Sequence, residues 1–193
     1  MTESTDADER TYSEAELAII KSNYKKIVTY WKISFEGYTV DTLQVWHRGL
    51  FDVVRPDFSG RLRSSYFGAS IQMLGVYPSV ERDQVLTHLQ KNMIMAAGFD
   101  NQITAGNLSV EEMIRAAVIL HCDLIRIQPF HDGNKQIGRL AMSYWLRKWN
   151  IPAPILQVPR SEYLTCVNSY LAGDRSCQSM LDLVIRLIDE QTR

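Results

Sequence analysis

The chain has 193 residues, 46% of them hydrophobic and 10% aromatic, enough to bury a respectable core as one domain. Its 21 basic residues against 22 acidic ones create no overall field to recruit nucleic acid or an anionic membrane. Three scattered cysteines, Cys122, Cys166 and Cys177, lack any Cys-x-x-Cys or Cys/His ligand spacing. They argue against a disulfide framework or zinc site and read as buried thiols.

Residues 1 to 12 are acidic and polar and read as a disordered tail, with residues 13 to 193 forming the single domain. The tail lacks the basic region and apolar run of a signal peptide, and no segment reaches about 18 unbroken apolar residues, so the expected setting is the cytoplasm without a membrane span. Ser13, followed by Glu14 and Glu16, opens a helical pattern through Leu17, Ile20, Tyr24, Ile27 and Val28, which Gly37 interrupts. A second helix is predicted over Val40 to Val54, with Pro56 as its stop. Residues 64 to 76 mix aromatics with Gly68 and Gly75 and suit a short hairpin or extended flap.

Pro78 and Ser79 introduce a further helix to about Ala97, where Gly98 is placed to end it and residues 99 to 108 form a polar loop. Ser109 with Glu112 has the form of a capping box. Met113, Ala116, Ala117, Leu120, Leu124 and Ile127 follow at helical spacing, predicting a buried helix. The next helix starts near Asn134 and runs until Pro152 and Pro154 stop it. Two more are predicted over Arg160 to Leu171 and Cys177 to Gln191.

Between two of these helices lies Ile127-Gln-Pro-Phe-His-Asp-Gly-Asn-Lys-Gln-Ile-Gly-Arg139, a polar loop suited to an anion. Asp132-Gly133-Asn134 supplies turn chemistry, and the following helix directs unpaired N–H groups and its positive dipole end toward the loop. Phosphate is the natural guest.

This segment resembles the signature of the Fic (filamentation induced by cAMP) family, His-Pro-Phe-x-Asp/Glu-Gly-Asn-Gly/Lys-Arg-x-x-Arg. Pro129, Phe130, Asp132, Gly133, Asn134, Lys135 and Arg139 fit, whereas Gln128 stands in place of the histidine and Gln136 in place of the first arginine. The resemblance extends over roughly Ile33 to Asp174. Trp46 to Phe51 is similar to an early core helix, Gly60 to Arg63 to a Gly-x-x-Arg turn, and residues 64 to 76 to a target-binding flap. It implies a mainly α fold, a Fic-type helical bundle of about seven helices with a small β-hairpin flap.

The resemblance also implies a chemistry. In the family the histidine deprotonates a hydroxyl on a target protein, which attacks the α-phosphate of ATP. Gln128 has no useful basicity and is a candidate only for orienting a substrate. Loss of such a partner removes roughly 100- to 10,000-fold of rate. His131 is a candidate replacement base or a solvent-facing loop histidine, while His47 and His121 read as packing histidines. Asp132 is the candidate ligand for Mg2+, which favours carboxylate oxygen. Gly133, Asn134, Lys135 and Arg139 are the candidate contacts to ATP or another phosphorylated ligand, the alternative being a plain loop with Asn134 as a helix cap and Lys135 and Arg139 as solvated helix charges; Gln136 removes one bidentate guanidinium contact. Upstream, Glu36 in Ser34-Phe35-Glu36-Gly37 matches the end of the family's inhibitory motif, a regulatory carboxylate opposite Arg139, or else simply closes a helix.

Two functional readings stand side by side. One is a divergent transferase that binds a phosphate-bearing small molecule or nucleotide and works by positioning and electrostatics. The other is a catalytically silent relative serving as a ligand sensor or protein-interaction module. In that reading Trp46, Tyr66 and Phe67 are candidate contacts and the 64–76 flap is the protein-binding surface. Nucleic-acid binding is disfavoured for want of a recognised module.

Overall fold

The computed structural model describes residues 12–30, 37–65, 73–154 and 158–192. It contains seven α-helices among them: α1 Glu14–Tyr30, α2 Val40–Phe51, α3 Val85–Thr104, α4 Val110–Ile127, α5 Asn134–Lys148, α6 Arg160–Leu171 and α7 Gln178–Thr192. Strands β1, Met73–Leu74, and β2, Tyr77–Pro78, pair antiparallel around a turn with Gly75 at φ +61°. The mainly helical fold with a small hairpin is the one expected.

Two compact units divide the chain: residues up to Leu89 together with Arg126–Asn134, and Gln90–Ile125 together with Lys135 onward. In the first, α1 and α2 pack on each other and bury Ile20, Leu43, Trp46, Leu50 and Phe51. In the second, α6 packs on α7, burying Tyr163, Val167, Tyr170, Met180, Leu181 and Val184. A polar cluster sits inside this unit, with Asn92 Nδ2 donating to Asp123 Oδ2 at 3.0 Å and the Tyr170 hydroxyl donating to Asp123 Oδ1 at 3.5 Å.

Helix starts follow local chemistry. Ser13 and Glu16 form a reciprocal capping box, as do Ser109 and Glu112: Glu112 N donates to Ser109 Oγ at 3.3 Å, and Ser109 N donates to Glu112 Oε2 at 2.7 Å. Thr39 caps α2 through its hydroxyl, which accepts from Thr42 N at 3.1 Å.

Three boundaries differ from expectation. Helix α2 ends at Phe51 rather than Val54, because in a continuing helix the Pro56 ring would collide with the Asp52 carbonyl. Residues 78 and 79 do not start α3, since Pro78 belongs to β2 and a short helical turn, Arg82–Gln84, precedes Val85. Nor does Gly98 end α3, so the expected 99–108 loop is largely helix. Asp100 accepts from Trp149 Nε1 at 3.0 Å and from Lys148 Nζ at 2.6 Å, bonds that outweigh the roughly 1 kcal/mol cost of an interior glycine. The chain turns instead at Gly106, φ +73°, where Gly106 N reaches Ile103 O at 2.9 Å and Asn107 N reaches Gln102 O at 3.0 Å. All three cysteines are buried free thiols.

Replacing Ser109 with Ala should cost about 1 kcal/mol and lower the melting temperature by about 2–4 °C, measured by circular dichroism. An unchanged transition would mean that the capping box at α4 contributes nothing to stability.

Candidate functional site

The loop leaving α4 opens on Gln128, a buried residue held at φ +52°, in the left-handed region that costs a non-glycine residue about 1–2 kcal/mol. Hydrogen bonds offset that cost. Its side-chain oxygen accepts from Asn134 Nδ2 at 2.7 Å, and its carbonyl accepts from Arg63 Nε at 3.0 Å. The same Asn134 amide donates to Phe130 O at 2.9 Å, and its oxygen accepts from Phe130 N at 2.8 Å. Both Asn134 side-chain protons are thus committed inside the loop. This side chain closes the loop on itself.

Arg63, only 3% exposed, grips the other side of the loop. Besides the Gln128 carbonyl, its guanidinium reaches Ile127 O at 3.2 Å and Val80 O at 2.7 Å, and its backbone N–H reaches Pro129 O at 2.8 Å. Leu62 forms an antiparallel bridge to Phe130. A cation placed at the last carbonyls of α4 also meets the negative end of the helix dipole. The sequence offered a Gly-x-x-Arg turn here, and burial among carbonyls is what gives this arginine its function.

His47 is the second anchor. Its ring stacks on Phe130 with centroids 4.0 Å apart, and its two nitrogens face Gly60 N at 2.9 Å and Asp132 O at 3.0 Å. Because an amide donates to Nδ1, the proton sits on Nε2 and is given to the Asp132 carbonyl. Burial lowers the His47 pKa to about 4, so this neutral tautomer persists. At Gly133, φ +74°, a Cβ would lie 2.3 Å from Phe51 Cε2, so only glycine fits.

The half-buried Asp132 carboxylate accepts from the Gly133 N–H at 2.6 Å and from the Tyr12 hydroxyl at 2.5 Å. Tyr12, expected in the tail, also leans its ring on Phe51, with centroids 6.3 Å apart. Among the described residues no group of three or more His, Cys, Asp or Glu side chains could hold a metal. A lone carboxylate such as that of Asp132 could hold magnesium only if phosphate oxygens and water completed the shell. His131 is exposed, with its ring 6.1 Å from Phe58. It does not share the buried position of Gln128.

In the second unit, Lys135 and Arg139 lie one turn apart on α5 and both are half-buried. Arg139 places its guanidinium carbon 4.3 Å above the Tyr163 ring, and its buried Nε has no hydrogen-bond partner among the described residues. The Tyr163 hydroxyl lies 3.1 Å from Nε2 of the fully buried His121. Tyr163 escaped the sequence reading because nothing along the chain links it to residue 139. Glu36 and residues 66–72 of the flap, including Tyr66 and Phe67, lie outside the described residues. No described helix is long and apolar enough to cross a membrane.

Two outcomes test this geometry. Arg63→Met should strand the Ile127 and Gln128 carbonyls and cost about 3 kcal/mol or more in urea denaturation, with faster amide exchange over residues 127–134. Acid should act through the histidines. Folded pKa values near 4 for His47 and His121 lie below the unfolded value of 6.5, so unfolding takes up protons. Stability is complete above about pH 6.5 and falls as pH drops toward 4, by about 2–4 kcal/mol per ring. A denaturation midpoint flat from pH 7 to 4.5 would contradict this.

Comparison with known proteins agrees with the fold and with the family resemblance. Residues 37–146 match the Fic/DOC family. The chain is 27% identical over 140 residues to the protein adenylyltransferase Fic of Nematostella vectensis, an alignment covering 72% of this chain but only 30% of that protein. Among solved structures, the N-terminal Fic domain of the effector protein Bep8 from Bartonella sp. 1-1C superposes with a TM-score of 0.75 at 14% identity, covering 95% of this chain and 89% of that one. BepC of Bartonella tribocorum, solved with bound AMPPNP, gives 0.70 at 15% identity, covering 90% and 86%. The matched span exceeds half of the sequence and contains the whole 128–139 segment, and on that basis the chain belongs to the Fic/DOC family.

Proposed function

We propose that this protein is a divergent, transferase-like member of the family that binds ATP or another phosphate-bearing small molecule at its 128–139 segment, without performing ordinary protein adenylylation. The observation that carries the reading is the amide pair Gln128–Asn134. The residue at the position of the family's base is buried, unable to take a proton, and bonded to Asn134 at 2.7 Å. The loop around it is nevertheless held in shape at every turn, through Arg63, His47 and Gly133.

Ligand binding would draw on the first-turn amides of α5 and on Lys135 and Arg139 along that helix. Asp132 would share a magnesium ion with phosphate oxygens, and the ion would neutralise their charge. The hydroxyl of Tyr12 would then give up its place on that carboxylate. Two relatives of this fold, from Bartonella tribocorum and Bartonella quintana, were crystallised with AMPPNP and ADP, which supports a nucleotide guest. The setting that suits such a ligand is the cytoplasm.

A second reading, a silent ligand sensor or protein-interaction module, draws support from the same Gln128 amide, since that side chain can take no proton. The two separate by experiment. Magnesium ATP should raise the melting temperature, and Asp132→Ala should remove the magnesium dependence of that rise. Alkyne-tagged ATP should label neither the protein nor a lysate. Strong labelling that disappears in Asp132→Ala would overturn the exclusion of adenylylation, and no response to ATP, ADP or a panel of phosphorylated metabolites would overturn the ligand reading.

A further inference from the structure

Three helices of the second unit each bring one residue to a common buried point: Arg139 from α5, Tyr163 from α6 and His121 from α4. Tyr163 is 1% exposed, its ring faces the Arg139 guanidinium at 4.3 Å, and its hydroxyl stands 3.1 Å from His121 Nε2. Gly138 makes room for this arrangement, because a Cβ at that position would come within 3.0 Å of His121 Nδ1.

We propose that Tyr163 is a positioning residue for Arg139: its ring face fixes the plane of the guanidinium, and His121 fixes the ring through its hydroxyl. The proposal rests on the phosphate-binding reading above, and it names what prepares the cation of that site. A carboxylate partner would consume the in-plane N–H groups that a phosphate needs, whereas an aromatic face attracts the charge from above and leaves those donors to a ligand. The buried Arg139 Nε, without a hydrogen-bond partner among the described residues, fits an arginine held by stacking rather than by an ion pair. Holding a long side chain in place beforehand also removes part of the ordering cost of binding.

The electrostatics of the supporting pair agree. Burial pushes the Tyr163 phenol well above its ordinary range, so it keeps its proton, and burial lowers His121 to about 4, so its ring is neutral near pH 7. Neither offers the guanidinium a competing anion. The charge of Arg139 itself helps keep His121 unprotonated.

The test is calorimetric titration of the full chain with magnesium ATP and with inorganic tripolyphosphate. Tyr163→Leu should weaken both by about 3- to 30-fold, the range of a desolvated cation–π contact. Tyr163→Phe keeps the ring and should bind within about twofold of wild type, even though it melts earlier for want of the hydroxyl's bonds to His121 and to the Arg139 guanidinium. In an Arg139→Ala background, adding Tyr163→Leu should change neither affinity. Tyr163→Met, closer in volume, replaces the leucine variant if that one does not fold. Equal weakening by Phe and Leu, or a further loss in the Arg139→Ala background, would assign Tyr163 a merely structural role and overturn the inference alone. Wild-type affinity in Arg139→Ala itself would overturn the inference and, with it, the phosphate role of Arg139.

Discussion

Five successive or near-successive carbonyls, those of Ile127, Gln128, Pro129, Phe130 and Asp132, turn toward the interior of the first unit and find donors there. Arg63 supplies three of these bonds, Asn134 one and His47 one. A loop with its oxygens buried is expensive unless each is matched, since an orphaned carbonyl costs about 1–3 kcal/mol. The buried guanidinium is the natural solution, with donors enough for several acceptors and a charge that the α4 terminus welcomes. Remove it and the motif has no fixed geometry for any chemistry to use.

Glycine at 133 and histidine at 47 refine the same constraint. Phe51 presses so closely on Gly133 that a methyl group would overlap its ring, and the His47 ring lies flat on Phe130. The loop is therefore wedged between aromatic surfaces as well as bonded. Packing and hydrogen bonds together give the loop a defined form around the neutral amide of Gln128.

Much of this was legible in the order of residues. The Pro129 to Arg139 pattern, the helix starts at Ser13 and Ser109, and the helical character of the chain follow from local chemistry, which a sequence displays directly. Gly98 misled because a glycine's preference to end a helix is worth less than two long-range bonds to Asp100, formed by residues 48 and 49 positions away. The bonds of Asn134 to Phe130 and Gln128 were half legible: an Asn at a helix start is a familiar cap, but its partner at 128 is set by how the loop folds back. Tyr163 and Tyr12 were invisible as partners, being contacts across the fold that leave no periodic or motif signal.

The pairing of Gln128 with Asn134 has a consequence for how the loop responds to its surroundings. Neither amide changes charge at any accessible pH, so the clasp at the loop entrance does not loosen or tighten with acidity as an imidazole clasp would. Wherever His47 stays neutral, the clasp and the imidazole beneath it keep one pattern of donors and acceptors, so the backbone of the loop holds a single form across that range of acidity.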